Sequence, residues 1–243
     1  MAPIGIIVAM LPEAACLTHT APEPGVSIEL RPNILLHLCG IGPAQATRGA
    51  EQLVARGVRG LMSFGIAGGL APGLAPGAVL LPGRVETSAG GLFTHEEWRI
   101  HVHARLTAAG LTLAPGDMAE ADTVVSTPGQ KAALGAQRNA AAVDMESAAV
   151  LRVATRHVLP ALVLRVILDP LEMEVPEFVH RQSDNYGRAN LPGVILDLLR
   201  APDRLPALLR INRAFRAATR SMRSVGKNLH DLHPGHDALT RPR

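Results

Sequence analysis

The sequence predicts a three-layer α/β fold, a buried sheet covered by helices on both faces. Short, almost wholly apolar runs bounded by turn residues recur along the chain, and such runs read as strands buried on both sides. Segments of good helix formers alternate with them, which sets a βαβ rhythm. Apolar residues make up 47% of the 243 and are spread rather than massed. That excludes disorder, and no apolar run approaches the roughly 18 residues of a membrane-spanning helix.

Residues 4–9, beside Gly5, are the first strand, and 33–39 and 59–64 are two more. A helix is predicted over 43–56, after the Gly40-Ile41-Gly42 turn. Residues 77–81 and 140–144 are strands, 130–137 a short helix, and 145–157 a helix with apolar residues at helical spacing. The most apolar strand is 161–168, with Val163, Val166 and Ile167. Residues 82–99, Gly-rich and polar with an isolated Phe93 and Trp98, are expected to be a long loop, as are 170–190. Long loops of this kind often cover sites. The pattern beyond Leu191 is helical to about Leu229, and 230–243, with Pro234, Gly235 and Pro242, is expected to fray. The chain thus divides into a catalytic domain at 1–199, a helical extension at 200–229 and a tail, with no internal repeat and no second domain.

Residues 1–10 lack the charged region and cleavage site of a secretory signal, so a cytoplasmic protein is expected. Cys16 and Cys39 have no CxxC spacing and read as buried, reduced thiols. The formal charge of +3 is unevenly placed: from Arg200 onward there are ten Lys/Arg against three Asp/Glu, and before it fourteen against eighteen. A basic tail suits an anionic membrane surface or an acidic partner. Nucleic acid is the weakest reading, because only 2% of residues are aromatic and few rings are available to stack on bases.

Three acidic residues stand at strand or helix ends, where sites form in open α/β sheets: Glu13, Glu146 and Asp169. Taken singly, each also reads as ordinary structure, Glu13 and Glu146 as first-turn helix residues and Asp169 as the start of an Asp-Pro turn. Gly40-Ile41-Gly42 and Gly65-Ile66-Ala67-Gly68-Gly69 permit close backbone approach to a ligand. Neither completes a dinucleotide fingerprint or a P-loop, and there is no GxSxG elbow, which argues against nicotinamide, ATP and serine-hydrolase chemistry.

The segment from Ile4 through Ala9-Met10-Leu11-Pro12-Glu13 resembles the opening of the methylthioadenosine/S-adenosylhomocysteine nucleosidases. Further segments agree in order and spacing: Cys39-Gly40-Ile41-Gly42, Gly65 to Leu70 with Pro76-Gly77, Val143-Asp144-Met145-Glu146-Ser147-Ala148-Ala149, and Leu164-Arg165-Val166-Ile167-Leu168-Asp169. The likeness to the nucleoside phosphorylase/nucleosidase superfamily runs from about Ile4 to Leu199. It implies a nucleoside phosphorylase-like three-layer fold with a central mixed, twisted sheet. It also implies Asp169 as the acid that protonates the departing purine at N7, which needs a raised pKa. Glu146 would grip the ribose 2′ and 3′ hydroxyls and offset oxocarbenium charge, with Met145 packed on the sugar. Glu13 would activate water, which favours hydrolysis over phosphorolysis. Ile66, Gly68 and Gly69 would back the substrate, and Met10 and Phe178 would line its 5′ end, though both also read as plain core.

Two departures from the family bear on the base: Ile66 replaces a serine, and Ala121-Asp122-Thr123-Val124 lacks the aromatic that often stacks on adenine. Neither Arg48 nor Arg84 matches the phosphorylases' phosphate-binding arginines clearly, so inorganic phosphate stays open as a co-substrate. No other cofactor and no metal are expected. His230, His233 and His236 are separated by Pro234-Gly235, which breaks a common helical face.

From Leu208 onward, Ile211, Phe215, Ala218, Met222, Val225 and Leu229 recur at three- and four-residue steps, while Arg213, Arg216, Arg220, Arg223 and Lys227 take another face. This is a C-terminal basic amphipathic helix, packed on its own domain or a subunit partner, or else lying on anionic lipid at the inner membrane face. Pro128-x-x-Lys131, the Val-Asp-Met-Glu-Ser-Ala-Ala wording and Arg200-Ala201-Pro202-Asp203-Arg204-Leu205-Pro206 look like the hopanoid-associated phosphorylase subfamily. That resemblance implies removal of adenine from adenosylhopane, a purine nucleoside with an apolar 5′ group. The alternatives are cleavage of methylthioadenosine or adenosylhomocysteine and non-catalytic nucleoside binding. A homo-oligomer is expected, because members of the superfamily are commonly dimers or hexamers.

Overall fold

The computed structural model of the chain describes residues 2–20, 22–176, 184–188, 201 and 204–233. Strand β1 (Ile4–Val8) is buried along its whole length. Side chains alternate across a strand, so Ile4, Ile6 and Val8 enter one core while Ile7 enters the other. The first core is closed by α1 (Leu11–Leu17), α3 (Glu96–Ala108) and α6 (Leu205–Lys227). The second is closed by α2 (Pro43–Ala55) and α5 (Ser147–Arg156), which pack on each other. The three predicted layers follow from this division.

Among the described residues, eleven strands form one mixed sheet. β2 (Ser27–Arg31) runs antiparallel to β3 (Ile34–Leu38), and β3, β1 and β4 (Leu61–Gly69) are parallel neighbours. β4 is long enough to be shared. Its start pairs with β1, its end pairs antiparallel with β10 (Ala142–Asp144), and its whole length pairs in parallel with β11 (Ala161–Asp169). From β10 the sheet continues through β9 (Met118–Glu120) and β6 (Arg84–Thr87) to β7 (Gly90–Phe93). On the β11 side it continues through β5 (Val79–Leu80) to β8 (Leu113–Ala114). Helix α4 (Pro128–Arg138) starts with a capping box in which Thr127 and Gln130 exchange side-chain to backbone bonds.

The 82–99 region is not a loop. It folds as the β6–β7 hairpin and the start of α3. Half-exposed strands around Gly90 and Gly91 carry no apolar alternation, and α3 buries only Trp98, Val102 and Leu106, a single stripe among charged residues. β2 escaped the sequence reading for the same reason, being a partly exposed edge strand.

The basic helix is α6. Its apolar face, Ala214, Ala218, Met222 and Val225, is buried on its own domain against α1 and β11. The chain does not fray at residue 230: a 3-10 turn, Leu229–Leu232, follows, with the Trp98 indole N–H donating to the Leu232 carbonyl at 2.8 Å. His233 is buried and donates from Nε2 to the Ala2 carbonyl at 2.7 Å. Residues 234–243, including His236, lie outside the described residues. Cys16 and Cys39 are buried and free.

Candidate active site

β4 gathers the site. Its Gly68 faces Val143 of β10 on one side and Asp169 of β11 on the other. An irregularity between Ile167 and Asp169 shifts the β11 register, and such a shift turns the terminal side chain relative to the strand before it. Because β1, β4 and β11 are parallel, their ends lie at one edge of the sheet, and β10 arrives there antiparallel to β4. A cavity of about 200 Å³ opens at that edge, lined by Glu13, Asp144, Glu146 and Asp169 among apolar side chains.

Glu13 is 2% exposed. Its Oε2 accepts from the backbone N–H groups of Ala9 and Met10, both at 2.9 Å, and its Oε1 accepts from Ile66 N–H at 2.9 Å. The carboxylate therefore caps the first turn of α1 and also faces the cavity, so the structural and functional readings of Glu13 hold together. Burial raises its pKa against the opposing pull of Arg165 and the three N–H donors.

Arg165 interrupts the apolar run of β11 and is itself buried. It pairs with Asp144, and its Nη2 donates to Ser63 Oγ at 2.7 Å and Ser147 Oγ at 3.1 Å. Ser147 Oγ in turn donates to Asp144 Oδ2 at 2.7 Å. Asp144 Oδ1 is buried without a hydrogen-bond partner. One guanidinium thus serves three buried carboxyls, Asp144, Glu13 and Glu146. The imbalance shows at Glu146, whose pKa is raised to about 7 by burial and then by the Asp144 charge, against the Arg165 charge and an N–H bond from Gly42. That bond, Gly42 N–H to Glu146 Oε1, is 2.7 Å. Gly42 caps α2 at φ 104°, a left-handed conformation that glycine adopts without strain.

Asp169 is 8% exposed, with its pKa raised by burial and pulled back by Lys131. Lys131, on α4, is fully buried, and its Nζ lies 2.6 Å from Asp169 Oδ2.

The structure brings Glu13, Glu146, Asp169, Met145, Met10, Ile66 and Gly68 to one cavity. Gly69 stands behind the wall, where it pairs with Ala142 and packs on the backbone of Pro170. Phe178 lies outside the described residues. Arg48 and Arg84 are not at the cavity: Arg48 bonds Gln45 on the surface, and Arg84 pairs with Glu86 and stacks on Phe93. Sequence reasoning missed the roles of Asp144, Arg165 and Lys131. A lone arginine inside the apolar run 161–168 was a usable signal, since a charge there must be buried and paired. Lys131 gave none beyond its place in the Pro128-x-x-Lys131 wording, for a lysine on a helix reads as solvent-facing.

Fold and family match place the chain among enzymes that cleave nucleoside N-glycosidic bonds. Residues 3–191 match the model of the phosphorylase superfamily, and the chain belongs to that superfamily. Similar solved structures include futalosine hydrolase of Helicobacter pylori strain 26695, with 20% identity and TM-score 0.69 over 95% of this chain and 97% of that one. The H. pylori 5′-methylthioadenosine/S-adenosylhomocysteine nucleosidase with butyl-thio-DADMe-Immucillin-A is 20% identical, with TM-score 0.70 over 96% and 97%. The Campylobacter jejuni nucleosidase is 21% identical, with TM-score 0.67 over 93% and 98%. At such identities the likeness establishes the fold. No curated protein matches the chain.

Proposed function

We propose that this enzyme removes adenine from a nucleoside whose 5′ group is large and apolar, adenosylhopane in hopanoid biosynthesis, leaving a ribosyl- or phosphoribosyl-hopane. The observation that carries the reading is the composition of one cavity, where acidic side chains share the walls with Met10, Ile41, Ile66, Val124, Leu168 and Val175. In this mechanism Asp169 gives its proton to N7 as the bond to C1′ breaks, so the base leaves neutral. Glu146 accepts from the ribose hydroxyls and offsets the positive charge that develops on the sugar. Glu13 takes a proton from the water that attacks C1′. Water is favoured over phosphate because Glu13, Asp144 and Glu146 would repel an anion, and no Arg or Lys is among the described residues lining the cavity. Ala121, Thr123 and Val124 line it where a stacking aromatic is lacking, so the base would be held mainly by aliphatic contact.

The test is adenine release from adenosylhopane in detergent and from methylthioadenosine, each with and without phosphate, with the sugar product weighed by mass spectrometry. Release from adenosylhopane alone supports the proposal, and the product mass names the nucleophile. Release chiefly from methylthioadenosine would replace it with nucleoside salvage, for which the alkylthio analogue held by the H. pylori nucleosidase is the precedent. Release from neither would leave a binding protein.

We also propose that the enzyme meets an anionic membrane through α6. Arg210, Arg213, Arg216, Arg220, Arg223 and Lys227 are all exposed, and the helix has no acidic residue. Because its apolar face is already buried, the contact would be electrostatic rather than by insertion, worth about 1 kcal/mol per cation near the surface. No described helix is long and apolar enough to cross a membrane. Cosedimentation with anionic and neutral vesicles tests this. Salt-sensitive binding to the anionic vesicles alone supports it, and equal binding to both overturns it.

A further inference from the structure

Lys131 is out of place by ordinary rules, since a lysine is almost never fully buried unless it is paired. Four acceptors surround its ammonium: Asp169 Oδ2 at 2.6 Å, Met173 O at 2.7 Å, Pro170 O at 2.9 Å and, farther off, Asp169 O at 3.5 Å. An ammonium has three N–H donors and no acceptor, so the three nearer partners use all of them. Oδ2 of Asp169 is therefore committed to accepting a hydrogen bond. The proton of a neutral Asp169 is then favoured on Oδ1, the oxygen that does not face the ammonium.

We propose that Lys131 is the positioning residue of the acid, holding the Asp169 proton on the oxygen that serves the leaving base and stabilising the carboxylate formed once that proton has gone. The proposal rests on the reading of Asp169 as the acid. Desolvation alone would make Asp169 a weak acid that keeps its proton; a cation at contact distance restores its acidity, and the two opposing influences are those seen on this side chain. Among the described residues, Lys131, from α4, is the charged group touching Asp169. Glu13 from α1, Asp144 from β10 and Glu146 at the start of α5 line the same cavity, and β4 presents Gly68. The lysine also holds the turn after β11 by its contacts with the Asp169, Pro170 and Met173 carbonyls, so a merely structural role is the competing account.

The two roles separate in the pH profile of adenine release. Only neutral Asp169 can donate, so kcat falls as pH rises through its pKa. An opposite charge at this range lowers a carboxyl pKa by about one to three units, so Lys131→Met should move the alkaline limb up by about that much. It should also lower kcat at least tenfold while KM changes less than threefold. Lys131→Gln, which keeps amide donors for the carbonyls without the charge, should behave the same way. A limb that stays in place in both variants, with loss confined to KM or stability, would overturn the proposal.

Asp169→Asn is the control for the underlying reading. If it keeps full kcat, Asp169 is not the acid and the proposed function fails. If it is inactive while the Lys131 variants keep the wild-type limb, only the present inference fails. Should no substrate turn over, or neither variant fold, the unmodified protein carries the test. The infrared band of the protonated Asp169 carboxyl, assigned against Asp169→Asn, and the 15N resonance of Lys131 Nζ should change over the same pH interval; a resonance that is flat there would overturn the inference.

Discussion

Gly65 lies against the guanidinium of Arg165: a β-carbon at Gly65 would stand 2.2 Å from Arg165 Nη1 and 2.3 Å from Glu13 Oε1. A single hydrogen in place of a side chain is what allows the buried cation to sit between β4, Glu13 and Asp144. The glycine of the Gly65-Ile66-Ala67-Gly68-Gly69 run therefore serves charge placement beneath the cavity as well as close approach to a ligand.

Gly65→Ala should accordingly do more harm than its size suggests. Neither neighbour is a free chain end, since both are held in the carboxylate network. Overpacking of this kind costs about 1–3 kcal/mol. Urea unfolding should show that loss, and adenine release should drop together with it.

Glu13→Gln should separate two effects of one residue. Both Glu13 oxygens accept from backbone N–H groups, so an amide must set a donor against a donor. The lost cap should cost about 1 kcal/mol, or about 2–4 °C of Tm in a chain of this size. Loss of the proposed base should lower kcat about a hundredfold or more, well beyond what the stability change explains.

The raised pKa of Glu146 gives two opposite pH dependences. Ribose hydroxyls donate best to a carboxylate, so kcat/KM should fall as pH drops through about 7, the value to which burial and Asp144 raise Glu146. Stability runs the other way. A carboxyl with a raised folded pKa holds its proton more tightly in the fold, so its contribution is greatest below 4.5 and is lost as pH rises towards about 7. Urea titrations at pH 5 and pH 8, each read at constant ionic strength with Glu146→Gln as reference, should show the wild type losing ground to the variant at the higher pH.

The two faces of α6 should respond differently. Met222 is fully buried, and Met222→Ala should destabilise by about 2–5 kcal/mol. Reversing the exposed Arg213, Arg216 and Arg220 together to Glu should leave Tm almost unchanged, because surface substitutions usually stay within about 0.5 kcal/mol each. The same triple variant should lose its binding to anionic vesicles. Vesicle binding that survives the reversal would show that α6 is not the contact.

By itself the sequence determined the layered α/β fold, because strands covered on both faces must be continuously apolar and their helices must alternate with them. It also determined the acidic set: Glu13, Glu146 and Asp169 stand at element ends within segments whose order is that of the superfamily. It could not give the hairpin at 84–93 or the stripe of α3, where burial is partial and the apolar period is masked by polar neighbours. Nor could it say which face of α6 was already used, since an amphipathic pattern is the same against protein or lipid. The pairings Arg165–Asp144 and Lys131–Asp169 join residues 21 and 38 positions apart. Only the packing of α4 and β10 around the ends of β4 and β11 makes them neighbours. A charge acts through distance and desolvation, and both are set by the tertiary structure.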